Sequence, residues 1–158
     1  MKKNILLLLL MTILAIPAFA DDKDEALAFF NNYVESANNY SSTIADMYSP
    51  SAKIIRQIVK PDGTTANATT DTATYVKQMK LGQAGAKLRK YKNFYTNINV
   101  IPQSDGTYKV TSLRQPSGDD YKLKTYMILK KQPNGKWLIV EEMMQTKVQT
   151  LLRYADKE

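Results

Sequence analysis

The chain has 158 residues, enough hydrophobic side chains (44%) for one packed core, and 22 basic against 15 acidic residues for a net charge of +7. It contains neither cysteine nor histidine, which excludes disulfides, the usual zinc sites, and Ser-His-Asp or Cys-His catalysis. Carboxylates, tyrosines, lysines and hydroxyls are the groups left for acid-base chemistry, and no pattern implies a metal or a cofactor.

The first twenty residues read as a cleavable leader. Lys2 and Lys3 are followed by an almost unbroken apolar run, Ile5 to Ile16, then Pro17 and the small-residue triplet Ala18-Phe19-Ala20. The run is too short to span ~30 Å of hydrocarbon as a helix. No cysteine follows, so the leader is not of the lipidated type. Cleavage after Ala20 leaves one domain over residues 21–158, whose charge is lower by the two lysines. The expected location is the periplasm, with secretion as the other outcome of export.

Next in order, Ala26, Phe29, Phe30, Tyr33, Val34, Ala37 and Tyr40 recur at three- and four-residue spacing, the stripe of an amphipathic helix. Ile44, Met47 and Tyr48 suggest a further short helix before Pro50. A β-branched segment, Lys53 to Val59, runs into the turn Lys60-Pro61-Asp62-Gly63, and Thr64 to Thr70 is a polar return strand. A second helix carries Tyr75, Val76, Met79, Leu81 and Leu88, with Gly82 and Gly85 weakening its second half. After Arg89 the period becomes two. Four strands follow, separated by turns at residues 103–106, 116–119 and 132–135. Phe94, Ile98 and Val100 are expected on one face, as are Tyr108, Val110, Ser112 and Arg114, and Tyr121, Leu123, Thr125, Met127 and Leu129. Lys122, Lys124 and Lys130 then face solvent. The tail, with Val148, Leu151 and Leu152, docks back as a short helix.

This order is that of an α+β fold. Its aromatic first helix (Phe29, Phe30, Tyr33), the strand and turn from Ile54 to Gly63, and the final hairpin resemble the nuclear-transport-factor-2-like superfamily. The hairpin reads Tyr126-Met127-Ile128-Leu129-Lys130-Lys131, then Pro133-Asn134-Gly135-Lys136-Trp137-Leu138-Ile139-Val140. The resemblance implies a curved antiparallel sheet wrapped around N-terminal helices into a cone; the superfamily includes enzymes, binding proteins and assembly modules. Enzyme-like members carry a histidine or catalytic aspartate just after the tryptophan strand, where this chain has Glu141, Glu142, Met143 and Met144. A weaker similarity is to periplasmic phospholipid-carrier proteins, through the Gly135-Lys136-Trp137 strand, the acidic residues after it, and Arg153-Tyr154.

Three groups of residues are candidates for function. Glu141 and Glu142 adjoin an apolar strand, and alternation turns one of them inward. A carboxyl turned inward holds its proton more tightly unless a cation such as Arg114 pairs with it. Read as chemistry, the pair suits a carboxylate-dependent isomerase or hydratase; read as structure, it is an ion pair. Tyr33, Phe94, Ser112, Arg114, Thr125 and Met127 form the expected lining of a ligand cavity, an assignment that one register slip would reverse. Lys77, Lys80, Lys87, Arg89, Lys90 and Lys92 lie in a stretch without acids. They make either a solvated face or a surface for anionic partners such as lipid headgroups. Nucleic acid is not an expected partner of an exported chain. The leading expectation is a non-catalytic exported domain for an apolar or amphipathic small molecule, lipid included, or for a partner protein. The alternatives are the carboxylate enzyme and an assembly or inhibitor module of a cell-envelope complex, with a homodimer through the open sheet face left open.

Overall fold

The computed structural model describes residues 19–157; all but the last two positions of the expected leader lie outside them. Helix α1 spans Phe19–Asn38 and buries Ala26, Phe30 and Tyr33, with Leu27, Phe29, Val34 and Ala37 packed around them. The chain leaves the helix through Tyr40, which adopts a left-handed conformation (φ 57°). Tyr40 is thus in the turn and not on the helical stripe. A 3-10 helix, Ser42–Met47, follows; the Ser41 hydroxyl caps it by accepting the Thr43 N–H at 3.2 Å.

The strands are β1 (Tyr48–Val59), β2 (Thr65–Asp71), β3 (Asn93–Pro102), β4 (Tyr108–Pro116), β5 (Leu123–Lys131) and β6 (Trp137–Thr146). They form one curved, unclosed sheet in the order β2-β1-β6-β5-β4-β3. Its pairings are antiparallel except β1 with β6, which run parallel. The sheet is therefore mixed: after four strands the meander brings β6 back alongside β1 in the same direction. Helix α2 (Thr72–Leu88) connects β2 to β3, and Asp71 caps it by accepting the Thr74 N–H at 2.9 Å. Hydrogen bonds at the cap hold the Asp71 carboxyl below its ordinary range.

Two bulges decide which side chains enter the core. On β6 the pairing slips between Leu129↔Ile139 and Ile128↔Glu141, so Val140 is an extra residue. Trp137 and Ile139 face inward before it, and Glu142 and Met144 after it. On β3, Asn97 (φ 54°) lies in a slip between Thr96 and Asn99. Tyr95 and Val100 turn toward the core, while Phe94 stands 55% exposed and Ile98 and Ile101 are also exposed. The expected face shared by Phe94, Ile98 and Val100 is thus broken, because one added residue inverts the alternation.

The final hairpin turns through Gly135, whose φ of 82° favours glycine. From it Trp137 donates its indole N–H to Glu25 at 2.9 Å, and Lys131 binds Glu25 and Asp22 at 2.7 and 2.9 Å. The start of α1 is thereby clasped to the hairpin. The Glu25 carboxyl is held low by its bonds to Lys131 and Trp137, and the Lys131 amine is raised by its bonds to Asp22 and Glu25. The tail forms a 3-10 helix, Gln149–Tyr154, against β1 and β2. Leu151 and Leu152 are half-buried, but Val148 is exposed. Asp156 fastens the tail by accepting the Thr69 N–H and hydroxyl at 3.0 and 2.6 Å.

Candidate functional site

Helix α1 packs against β3 and β4 and fills the sheet's inner face along its middle turns, through Ala26, Phe30 and Tyr33. Helix α2 touches β1 and β2 instead. The two helices therefore diverge, and a pocket of about 370 Å³ opens between the end of α1, the 3-10 helix and α2. Its walls are largely apolar: Ile44, Tyr75, Val76, Met79 and Met144 with the ring of Tyr33. The inner face of α2 continues through Gln83 and Ala86, and Lys80 and Arg89 line the pocket with exposed side chains. Among the described residues, no aspartate or glutamate lines it. The Gln83 amide donates to the Tyr40 carbonyl, tying α2 to the turn after α1.

Behind the Tyr33 and Tyr75 walls is a buried polar cluster centred on Glu142, which has no exposed surface. Tyr48 donates its hydroxyl to Glu142 Oε2, and Tyr33 reaches the same oxygen at a long 3.4 Å. Arg56 Nη1 sits 2.8 Å from Oε1 as an ion pair, although without hydrogen-bond alignment. The Arg56 guanidinium also lies 4.8 Å over the Tyr75 ring, which meets the Tyr48 ring edge-to-face at 5.4 Å. Burial, and then the charge on Glu142, push the phenols of Tyr33, Tyr48 and Tyr75 above their ordinary value. Glu141 points the other way and accepts the Tyr126 hydroxyl at 2.6 Å. Burial and this bond push the Tyr126 phenol up to about 12.

A second buried cation stands nearby. Arg114, 7% exposed, donates to Asn93 Oδ1 and the Gln145 carbonyl, both at 2.8 Å, and reaches the Tyr91 hydroxyl at 3.4 Å. Its Nε has no hydrogen-bond partner, and no carboxylate pairs with it among the described residues. Asn93 and Tyr91 themselves line the pocket, so the Arg114 charge lies one side chain behind its surface. Asn38 and Asn93 bond reciprocally at 2.9 Å, fixing the end of α1 to the start of β3.

Of the six expected lining residues, only Tyr33 reaches this pocket. Phe94 faces solvent because of the β3 bulge. Ser112, Arg114, Thr125 and Met127 do face inward, as their alternation predicts, but they are buried away from the pocket surface. Thr125 bonds the Met143 carbonyl at 2.8 Å, and Met127 belongs to the apolar core. The expected pairing of Arg114 with an inward glutamate is also corrected: Arg56 occupies that role. Helical side chains line the pocket in place of strand side chains. The three- and four-residue spacing of Tyr75, Val76, Met79, Gln83 and Ala86 was the available signal, obscured by weighting Leu81 and Leu88. Those two leucines face outward, 76% and 86% exposed. The six basic residues Lys77, Lys80, Lys87, Arg89, Lys90 and Lys92 are all exposed.

No protein-family model and no curated protein matches the chain. Solved structures do. A protein of unknown function from the DUF3225 family of Pectobacterium atrosepticum aligns with a TM-score of 0.60 at 14% identity, over 80% of this chain and 91% of its own. A domain of unknown function with a cystatin-like fold from Nostoc punctiforme gives 0.57 at 12%, over 84% and 82%. Nuclear transport factor 2 from Cryptosporidium parvum gives 0.56 at 14%, over 82% and 94%. At such identities the likeness concerns the path of the backbone, and helices on one face of an unclosed six-stranded sheet are its substance. The chain has the nuclear-transport-factor-2-like cone fold.

Proposed function

We propose that this chain is an exported, non-catalytic domain that binds an anionic amphipathic small molecule between α1 and α2. The observation that carries the reading is the pocket itself: apolar walls, Lys80 and Arg89 in the lining, and no carboxylate. Burying a hydrocarbon tail against such walls contributes roughly 25 cal/mol per Å² of apolar surface removed from water. An anionic head then meets the two exposed cations and the field of the unpaired Arg114 behind Asn93. Buried charge without a partner is costly, and an incoming anion offsets that cost. Export is supported by the leader-like first twenty residues.

The carboxylate-enzyme alternative has one observation in its favour, the full burial of Glu142 one side chain from the pocket. Against it, Tyr48 and Arg56 engage the two Glu142 oxygens, Tyr33 and Tyr75 screen them, and Glu141 lies on the opposite sheet face. Binding accounts for the pocket without a reactive group.

Native mass spectrometry of the protein isolated from its host tests the proposal. It should show a chain beginning at Asp21 with a co-purifying ligand. Lys80→Ala/Arg89→Ala should weaken dodecanoate binding about tenfold, or ~1.4 kcal/mol, while binding of neutral dodecanol is unchanged. Equal loss for both ligands, or no binding of either, overturns it.

A further inference from the structure

We propose that the outward face of α2 docks on an anionic lipid bilayer. The inference does not depend on the pocket's ligand, because Lys77, Leu81, Lys87 and Leu88, which carry it, lie outside the pocket lining, while Lys80 and Arg89 border both surfaces. Leu81 and Leu88 are seven residues apart, two helical turns on one stripe, and both stand in solvent at 76% and 86% exposure. Ala84, also exposed, lies between them, and Lys77 shares their face. Lys80 and Lys87 form one flank, and Arg89, Lys90 and Lys92 continue the positive charge past the helix end. From Thr72 to Ser104 there is no acidic residue. The leucines cannot turn inward, since Tyr75, Val76, Met79, Gln83 and Ala86 already occupy the inner face of α2.

Apolar side chains on a protruding helix amid lysines match a surface that is negative at its headgroups and apolar beneath them. The leucines enter the acyl boundary while the lysine stems lie along it with their amines at headgroup level. A second copy of the chain fits poorly, because apposing two such faces would bring like charges together.

The absence of cysteine makes the test direct. Ala84→Cys carries an environment-sensitive fluorophore between the two leucines; Ser104→Cys, in the exposed β3–β4 turn, carries it as a control. The expected result is a blue shift at position 84, and none at 104, with phosphatidylglycerol vesicles. Phosphatidylcholine vesicles and soluble glycerol phosphate should give no shift, and rising salt should remove it. Leu81→Ser/Leu88→Ser and Lys77→Glu/Lys87→Glu should each weaken the response at least tenfold, with unchanged circular dichroism showing that the fold is intact. Reading one site excludes adsorption through another part of the chain. No shift at position 84, an equal shift at 104, or full response from the leucine variant overturns the proposal. So does a concentration-dependent shift without vesicles, which would make a second copy the occupant.

Discussion

The two ends of the sheet's inner face have been covered in opposite ways. Under the middle turns of α1 the face is closed: Phe30 is 1% exposed, meets Tyr95 edge-to-face at 5.5 Å, and shares a core with Val110, Met127 and Leu129. At the far end of α1 the second helix stands off, and partly exposed Tyr75, Val76 and Met79 leave a pocket in place of a core. The same sheet supports both. The difference lies in the helices: α1 presents large side chains at core spacing, whereas α2 turns both of its leucines outward and lines its inner face with Gln83, Gly82 and Ala86. Closed packing holds the fold, and the open end leaves a pocket.

Truncation at the two ends measures that contrast. Phe30→Ala should lose about 3–5 kcal/mol in urea denaturation, because neighbours locked by the sheet cannot collapse into the gap. Met79→Ala should lose under about 1 kcal/mol, since its side chain already borders open space. Equal losses would mean that the pocket is packed core and the comparison fails. Next in size is Arg56→Ala, expected to cost about 3 kcal/mol because Glu142 keeps a buried charge without its cation. The 23% exposure of Arg56 places the figure at the lower end. A smaller loss than Met79→Ala would show the ion pair to be dispensable.

Alkaline titration gives the third and smallest effect per group. Burial first, then nearby negative charge, raises the phenols of Tyr33 and Tyr48, and burial also raises those of Tyr75 and Tyr95. A folded pKa above the unfolded value of ~10 means the native state holds its proton more tightly. Stability is complete below pH ~10 and falls as pH rises toward the folded values, by up to ~1.4 kcal/mol per tyrosine at one unit above the unfolded value. Phenolate absorbance from these four should therefore appear together with loss of circular dichroism. Their ionisation well before unfolding would show that water reaches these hydroxyls in the folded state.

Much of this was legible in one dimension. The α1 stripe Ala26-Phe30-Tyr33, the polar turns ending in glycine, and the period-two runs of β4 and β5 each follow from local sterics and from the need to bury one face. They sufficed for the α+β class and the inward set Tyr108, Val110, Ser112 and Arg114, while the cone followed from the resemblance carried by the first helix, the strand and turn from Ile54 to Gly63, and the final hairpin. The pocket was not legible in the same way. The strand periodicity points to a lining on the strands, yet Ser112, Thr125 and Met127 are buried away from the pocket, and how far a helix covers a sheet depends on packing at long range.

Sequence alone determined the exclusions and the periodicities: no histidine or cysteine chemistry, a basic stretch without acids, and helices and strands in their order. Tertiary structure alone decided that Glu142 and not Glu141 faces the core, that Arg56 and not Arg114 neutralises it, and that Phe94 gives way to Tyr95. Two events account for them. A bulge such as those at Val140 and Asn97 adds one residue to a two-residue period and reverses everything beyond it. Pairing across a parallel junction then brings Glu142 opposite Ile54 and within reach of Arg56, far from it in the chain. Neither event leaves a mark in local composition.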